Sequence, residues 1–276
     1  MGEHAVRRRA GVRRRLAATD LLLRLHAGTV ILFLLAPIAI AIACAFTRGE
    51  FLEFPPRGVS LRWFGEALGN AQFTDGLRNS VLVALANAAI ATVAGTGAAI
   101  ALNHHRFRGR LIVQAAIMLP ITLPALVLGL GLLFTLPSYG MRPGLLAGVV
   151  GHAVLSLPYA TAMVLAALAN YDRSLERASL NLGASPARTF FKVTLPLIRG
   201  GVAAGAITSF LVSFDNISMS LFVTKGDTLP LRLLQQIQHG ADPSVAAMST
   251  MLLVGSLGLV VFLLPLAARL RARAAP

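Results

Sequence analysis

Six apolar stretches, each about 20 residues long, constrain this 276-residue chain more than any other feature. A helix of about 20 apolar residues crosses the ~30 Å hydrocarbon core of a bilayer. Because lipid offers no partner to backbone polar groups, such stretches must satisfy their own and are predicted to be helical. Charged residues make up 13% of the chain, against about a quarter in soluble domains. The sequence therefore predicts an all-α membrane protein with six transmembrane helices, at Gly28–Thr47, Asn79–Leu102, Leu111–Thr135, Leu145–Leu168, Gly201–Val223 and Val245–Ala268.

The placement of lysine and arginine predicts the orientation. With a cytoplasmic N-terminus, 18 of the 25 basic residues lie on the cytoplasmic side, as the positive-inside rule requires. Both termini are then cytoplasmic. The alternative is a signal cleaved after Ala41-Ile42-Ala43, but the apolar stretch is longer than a signal core. The seven basic residues left outside are Arg48, Arg57, Arg62, Arg78, Arg142, Lys225 and Arg232.

The residues that carry chemistry exclude several function classes. The net charge of +14 comes from arginines that flank apolar stretches rather than follow one folded face, so nucleic acid is not an expected partner. The single cysteine, Cys44, excludes an intrachain disulfide. No catalytic or metal-binding motif is found, so no catalytic residue, metal or bound cofactor is predicted. We expect His104 and His105 to face solvent or headgroups, and His152 to hydrogen-bond between helices.

Two long segments lie outside the predicted spans. The outer one, Arg48–Arg78, contains Trp63 and Phe64 in an amphipathic piece and is expected to lie along the membrane surface. The inner one covers about residues 170–199 and is suited to docking a partner. The predicted organisation is a basic cytoplasmic segment at 1–27, a transmembrane domain at 28–268 and a cytoplasmic tail at 269–276.

The inner loop is predicted to be two helices with a break between them. Gly183 can adopt the left-handed conformation that ends a helix. Ser185 and Pro186 suit the start of the next, as N-cap and first helical residue. Leu195-Pro196 is expected to close the loop before the fifth span. One face of the first helix is formed, at spacings of three and four, by Leu175, Ala178, Ser179 and Leu182.

This loop resembles the Glu-Ala-Ala loop of permeases from binding-protein-dependent ABC importers with the type I fold. That pattern is Glu-Ala-Ala, three residues, Gly, about nine residues, then an aliphatic residue before Leu-Pro. The Glu-Ala-Ala positions here hold Arg177, Ala178 and Ser179, and the nearest acid, Glu176, lies one place early. A direct contact of that acid with an ATPase is therefore left open. The matching residues are Gly183, Ala184, Val193, Leu195 and Pro196.

The resemblance extends over nearly the whole chain and is closest to the spermidine/putrescine permease subfamily. It implies a permease subunit in the bacterial inner membrane, embedded in lipid. The implied partners are two ATPase subunits, a second, related permease and an extracytoplasmic substrate-binding protein. The motifs that carry the subfamily resemblance are Ser213-Phe214-Asp215-Asn216, Phe222-Val223-Thr224, Leu229-Pro230-Leu231, Pro243-Ser244-Val245 and Ser249-Thr250.

The energy source must lie on another subunit. A phosphate-binding P-loop needs Gly directly before its Lys, and the two lysines here follow Phe191 and Thr224. ATP and Mg are therefore expected on the partner ATPase. The resemblance implies that the loop residues coupling this chain to that ATPase are Glu176, Arg177, Ala178, Ser179, Leu182, Gly183, Ala184, Leu195 and Pro196.

Asp215 is the candidate substrate contact, with Asn216 and Ser213 as neutral helpers. It lies ~21 Å along a helix that starts at Gly201, and is therefore placed beyond the bilayer midplane. A carboxylate there suits a small cationic solute such as a polyamine. A structural pair or a helix break at Asp215 is the alternative. An aminophosphonate, an opine, thiamine and ferric iron remain alternative cargoes, and a secondary transporter, a channel or a membrane enzyme remain alternative classes.

Overall fold

The computed structural model describes residues 2–169, 171–240 and 242–272, and within these the side chains of 20, 22–169, 171–240, 242–258 and 261. Asn170 and residues 273–276, which belong to the predicted loop and tail, lie outside the described residues. Helices make up most of the described chain, which contains no strand. In order they are α1 Gly2–Ala45, α2 Arg62–Gly69, α3 Ala71–His104, α4 Arg110–Thr122, α5 Ala125–Thr135, α6 Leu145–Ala169, α7 Ser174–Asn181, α8 Pro186–Thr189, α9 Leu195–Phe214, α10 Ile217–Val223, α11 Leu229–Gly240 and α12 Pro243–Ala272.

The predicted spans correspond to helices, but the count of six stays a prediction. In the described residues four helical segments are long and apolar enough to cross a membrane: Leu22–Ala45, Ala71–His104, Leu145–Ala169 and Pro186–Phe214. The pair α4 and α5 gives a fifth if its two halves form one span. The apolar part of α12, Pro243–Gly258, is shorter than a full crossing, as far as side chains are described.

The third predicted span, Leu111–Thr135, is not one continuous helix. It breaks between α4 and α5, and the segments Arg110–Thr122 and Ala125–Tyr139 are bent by 108°. The cause is Pro124, whose ring disfavours helical backbone at the preceding residue. Leu123 accordingly has extended backbone, with φ −91° and ψ 140°.

The fifth predicted span, Gly201–Val223, was misplaced at both ends. The helix that carries it runs from Pro186 to Phe214, so Leu195-Pro196 lies inside the helical run and does not close the loop. Pro196 has no N–H and its ring crowds the preceding turn. A wider π turn over Phe190–Thr194 precedes it, with the Leu195 N–H bonded to the Phe190 carbonyl.

The chain divides into two units, residues 1–67 with 241–254 and residues 68–240 with 255–276. In the first, the predicted amphipathic piece is the short helix α2. Its Trp63 is buried, at 4% exposure, and donates its indole N–H to the Gly49 carbonyl at 3.2 Å. Thr47 is also buried and its hydroxyl accepts the Gly49 N–H. Trp63 therefore holds its own loop together rather than facing lipid headgroups.

The second unit is built on close contact of α3, α6 and α9. Gly95 of α3 and Gly205 of α9 both lie against Ala160 of α6, where an added Cβ would come within 2.8 Å and 3.2 Å of its atoms. Gly201 of α9 similarly faces Ala167, at 2.5 Å. Small residues at such positions let helix backbones approach closely, which favours van der Waals packing within a membrane.

A buried side-chain amide joins the same three helices. Asn87 of α3 is fully buried and donates to Ser156 Oγ of α6 at 3.2 Å and to the Ser209 carbonyl of α9 at 2.8 Å. Interhelical hydrogen bonds of this kind contribute about 0.6–2 kcal/mol in membrane proteins. These bonds join α3 to both α6 and α9, which also pack directly on each other.

Candidate coupling loop and substrate site

The first helix of the inner loop, α7, ends as the sequence predicted. Gly183 has φ +85°, the left-handed conformation that glycine adopts without steric cost. The Gly183 N–H bonds to the Leu180 carbonyl at 2.9 Å, and the Ala184 N–H to the Ser179 carbonyl at 3.2 Å. These two bonds form a Schellman motif, which satisfies carbonyls at the helix end and turns the chain sharply.

The second helix also begins where expected. Ser185 has extended backbone and its hydroxyl accepts the Arg188 N–H at 3.3 Å, with Pro186 at the first helical position. This helix runs through the π turn into α9 without an intervening loop. The second half of the loop is therefore part of the same helical run as the span that ends at Phe214.

Glu176 lies on the inner side of α7 and is nearly buried. Its side chain is 13% exposed, and its carboxylate accepts from His104 Nε2 at 2.8 Å and 3.0 Å and from Thr194 Oγ1 at 2.5 Å. Burial raises the pKa of Glu176, but the hydrogen bonds from Thr194 and His104 outweigh it and the net pKa lies below its ordinary 4.5. Glu176 is therefore a carboxylate at neutral pH.

His104 does not face solvent or headgroups, so that prediction was wrong. Its side chain is 12% exposed, and its Nε2 must be the donor because the carboxylate only accepts. The other ring nitrogen, Nδ1, is buried and has no hydrogen-bond partner in the described residues. No local pattern indicates this contact, since His104 and Glu176 are 72 residues apart.

The outer face of α7 is exposed and partly apolar. Arg177 and Ala178 are exposed, as are Leu175 at 47% and Leu182 at 89%. Ser179 is the exception on the predicted face, since its hydroxyl lies 3.0 Å from that of Thr189 on α8. An exposed face that combines apolar and basic side chains is suited to contact with another protein.

At the other end of α9, Asp215 is exposed and lies where the helix ends. Its N–H bonds to the Leu211 carbonyl at 3.4 Å, and Asn216 then takes extended backbone and caps α10 by accepting the Met219 N–H at 2.7 Å. Asn residues compete for backbone partners in this way and interrupt helices. Asp215 thus lies at a helix break, not within a continuous fifth span.

Ser213 and Asn216 both have structural partners, so the three candidate substrate residues do not form one exposed group. Ser213 is 4% exposed and its hydroxyl lies 2.7 Å from His152 Nδ1, while His152 Nε2 lies 3.1 Å from Ser220 Oγ of α10. His152 therefore makes the interhelical hydrogen bonds that were predicted for it. It ties α6 to both sides of the break and fixes the position of Asp215.

No group of three or more His, Cys, Asp or Glu side chains that could hold a metal ion is present in the described part of the chain. The candidate residue Asp215 presents an exposed carboxylate directly after Phe214 in the chain, and the rings of Phe214 and Phe210 are stacked with centroids 5.6 Å apart. Carboxylates and aromatic faces are the groups that attract organic cations.

Known proteins resemble this chain over most of its length. Residues 75–272 match the family described as binding-protein-dependent transport system inner membrane component. The chain is 31% identical over 231 residues to the spermidine/putrescine transport system permease protein PotC of Haemophilus influenzae, covering 83% of this chain and 90% of that one. It is 30% identical over 240 residues to the putrescine transport system permease protein PotI of Escherichia coli, covering 84% and 85%. A solved bacterial ABC transporter that imports the acidic polysaccharide alginate shares the fold, with a TM-score of 0.65, 15% identity and coverage of 93% and 96%.

Proposed function

Because the chain belongs to the family of binding-protein-dependent inner membrane transport components, and so is a permease of an ABC importer, we propose that its cargo is a polyamine. The relatives named for spermidine and putrescine support this, since each is matched over more than four fifths of both chains. Membership of this family favours the permease reading over a secondary transporter, a channel or a membrane enzyme. The multi-pass apolar helices agree with an inner-membrane location.

Asp215 is the proposed contact for an ammonium group of the cargo. Its carboxylate is exposed, and the stacked rings of Phe210 and Phe214 precede it in the last two turns of α9. One carboxylate cannot hold both ends of a polyamine, so the second permease supplies further acids in this proposal. The aminophosphonate, opine, thiamine and ferric-iron alternatives differ in charge or chemistry and are outcomes of the test below.

The coupling loop is the proposed contact with the ATPase. The exposed face of α7 docks on one of two ATPase subunits, which bind ATP and Mg because this chain has no P-loop. Closure of the ATPases moves α7, the permease pair opens outward, and the binding protein releases its cargo. Hydrolysis then resets the cycle. In this scheme both termini and the loop are cytoplasmic, as the distribution of arginine favours.

The partners are tested by gently solubilising the tagged protein from its own host and identifying the co-purifying chains by mass spectrometry. An ATPase with a P-loop, a related permease and a binding protein are expected. Recovery of the chain alone, as a monomer or homodimer that moves solute without ATP, would contradict the proposal.

The cargo is tested by uptake of labelled spermidine and putrescine in cells that express the complete importer, with thiamine and ferric iron as comparison solutes. Asp215→Asn is expected to lower polyamine uptake while the complex still assembles. The matched control is Asp75→Asn, which neutralises an exposed acid on α3. Equal uptake by both variants would reduce Asp215 to a structural role, and uptake of another solute in place of polyamines would replace the proposed cargo.

A further inference from the structure

The coupling helix α7 is attached to α3 as well as to the helical run that contains α9, and the attachment is polar. No residue of α7 is buried, so apolar packing contributes little to holding it. Its contact with the end of α3 is instead made by Glu176 and His104, at 2.8 Å. The neighbouring Arg173 donates to the His104 carbonyl at 3.4 Å. Thr194 of the π turn donates to the same Glu176 carboxylate.

We propose that Glu176, His104 and Thr194 form a latch that makes α3 move together with α7 when the ATPases close. This inference rests on the proposed docking of α7. The three residues belong to three elements: α7, the last turn of α3 and the π turn before α9. Glu176 is thus a positioning residue, turned into the permease, and is not a ligand of the ATPase.

The geometry indicates that the Glu176–His104 contact passes movement of α7 to α3, and does more than hold α7 in place. Both partners are about one eighth exposed, at 12% and 13%, so water competes little for the bonds. The imidazole of His104 is oriented by Glu176, because its Nδ1 has no partner in the described residues. Helix α3, which contains His104, is hydrogen-bonded to α6 and α9 through Asn87. A movement that enters at His104 therefore reaches the two helices packed on α3.

Without the latch, α7 would keep the Arg173 bond to the His104 carbonyl and its contact with α8, and would act on α9 through the π turn. That turn contains the irregular backbone that Pro196 requires, and π turns are local departures from the regular α-helical hydrogen-bond ladder. A second attachment to α3 would therefore stiffen the link between the docking helix and the bundle. Loss of the latch should leave the ATPase bound and hydrolysing, but should lower the solute carried for each ATP.

The first test uses the complete importer, purified with its own ATPase and reconstituted with its binding protein. Glu176→Ala and His104→Leu are each expected to reduce polyamine transport per ATP about tenfold, the effect of losing a charge-assisted hydrogen bond. The double variant should be no worse than either single one, because both remove the same contact. His104→Gln retains an N–H donor and should recover part of the loss. His105→Ala, at the exposed neighbouring residue, is the matched control.

A second test does not depend on the cargo. Spin labels at Leu180→Cys, an exposed α7 residue outside the proposed docking face, and at Arg106→Cys, just after α3, report the distance between the two helices. Both are placed in a Cys44→Ala background. That distance should be the same in nucleotide-free and vanadate-trapped complexes, and its distribution should broaden in Glu176→Ala. A distance that changes with nucleotide while Glu176 is intact would overturn the latch.

The outcomes separate this inference from the proposed function. Loss of the ATPase from the Glu176→Ala complex would show that Glu176 binds the ATPase and would overturn the latch. Normal transport per ATP in His104→Leu would also overturn it. Failure of the unaltered importer to carry polyamines would contradict the proposed cargo, whereas the label distances would still decide on the latch.

Discussion

Replacing Gly183 is the sharpest test of the coupling loop, because the free-energy cost of the replacement follows from the backbone conformation alone. Its φ is +85°, and a Cβ added there would meet no atom within 4 Å. The penalty for another residue is therefore the left-handed conformation itself, about 1–2 kcal/mol for an L-residue. That range corresponds to a fall of about 5- to 30-fold in the population of the native turn. Asn tolerates this conformation better than other residues, and β-branched Val tolerates it least.

The expected order of transport per ATP is therefore Gly183 first, then Gly183→Asn, Gly183→Ala and Gly183→Val. The assay is polyamine uptake and ATP hydrolysis by the same reconstituted importer, so that coupling is measured as their ratio. The matched control is Gly109→Val, which carries the same penalty, with φ +86° and open space, at the start of α4. It should not change the ratio. Full coupling in Gly183→Val, at normal assembly, would refute the reasoning.

The remaining predictions concern packing, the helix break and the docking surface. Gly201→Leu should destabilise the purified complex by about 1–3 kcal/mol, because its Cβ would come within 2.5 Å of Ala167. The control Gly200→Leu faces open space and should not destabilise it. Thermal unfolding measures both variants. His152→Ala should lower the unfolding temperature and also uptake, since it leaves two serine hydroxyls without their interhelical partner; unchanged values would contradict its role at the break. Arg177→Glu should weaken co-purification of the ATPase more than Arg177→Ala does, and equal recovery would place Arg177 outside the interface.

Local signals predicted the turn between α7 and α8, although not the closure of the loop at Leu195-Pro196. The end of α7 at Gly183 and the start of α8 at Ser185 depend on backbone conformation and capping, which act over a few residues. The apolar stretches likewise located helices, since length and hydropathy are properties of the segment itself. These parts of the fold can therefore be predicted from the sequence.

The predicted spans were wrong where the helix breaks within a continuous apolar stretch. The third span was predicted as continuous although Pro124 breaks it by its effect on Leu123. The fifth was carried past Asp215 because hydropathy continues into α10, whereas Asn216 caps a new helix there. Hydropathy measures whether a segment prefers lipid and is insensitive to such a break. The depth assigned to Asp215 stays a prediction, since the helix from Gly201 to Phe214 is continuous and the break follows it.

Contacts between distant segments could not be predicted. His104 was assigned to solvent from its arginine neighbours, yet its partner Glu176 lies 72 residues away. The burial of Trp63 was missed for a similar reason, since amphipathic composition alone does not show what covers a side chain. Such assignments require the tertiary packing that brings the segments together.

The position of the acid in the loop has a consequence for the partner ATPase. One residue along an α-helix is a rotation of about 100°, so an acid at position 176 instead of 177 points toward the permease and not toward the proposed docking face. The docking face then presents Arg177, which is exposed. A basic side chain at an interface requires a carboxylate or a carbonyl opposite it, because an unpaired charge is costly once water is removed. The ATPase of this importer is therefore expected to carry an acid, or a helix C-terminus, where it meets Arg177, and an ATPase that presents a cation there should assemble poorly with this permease.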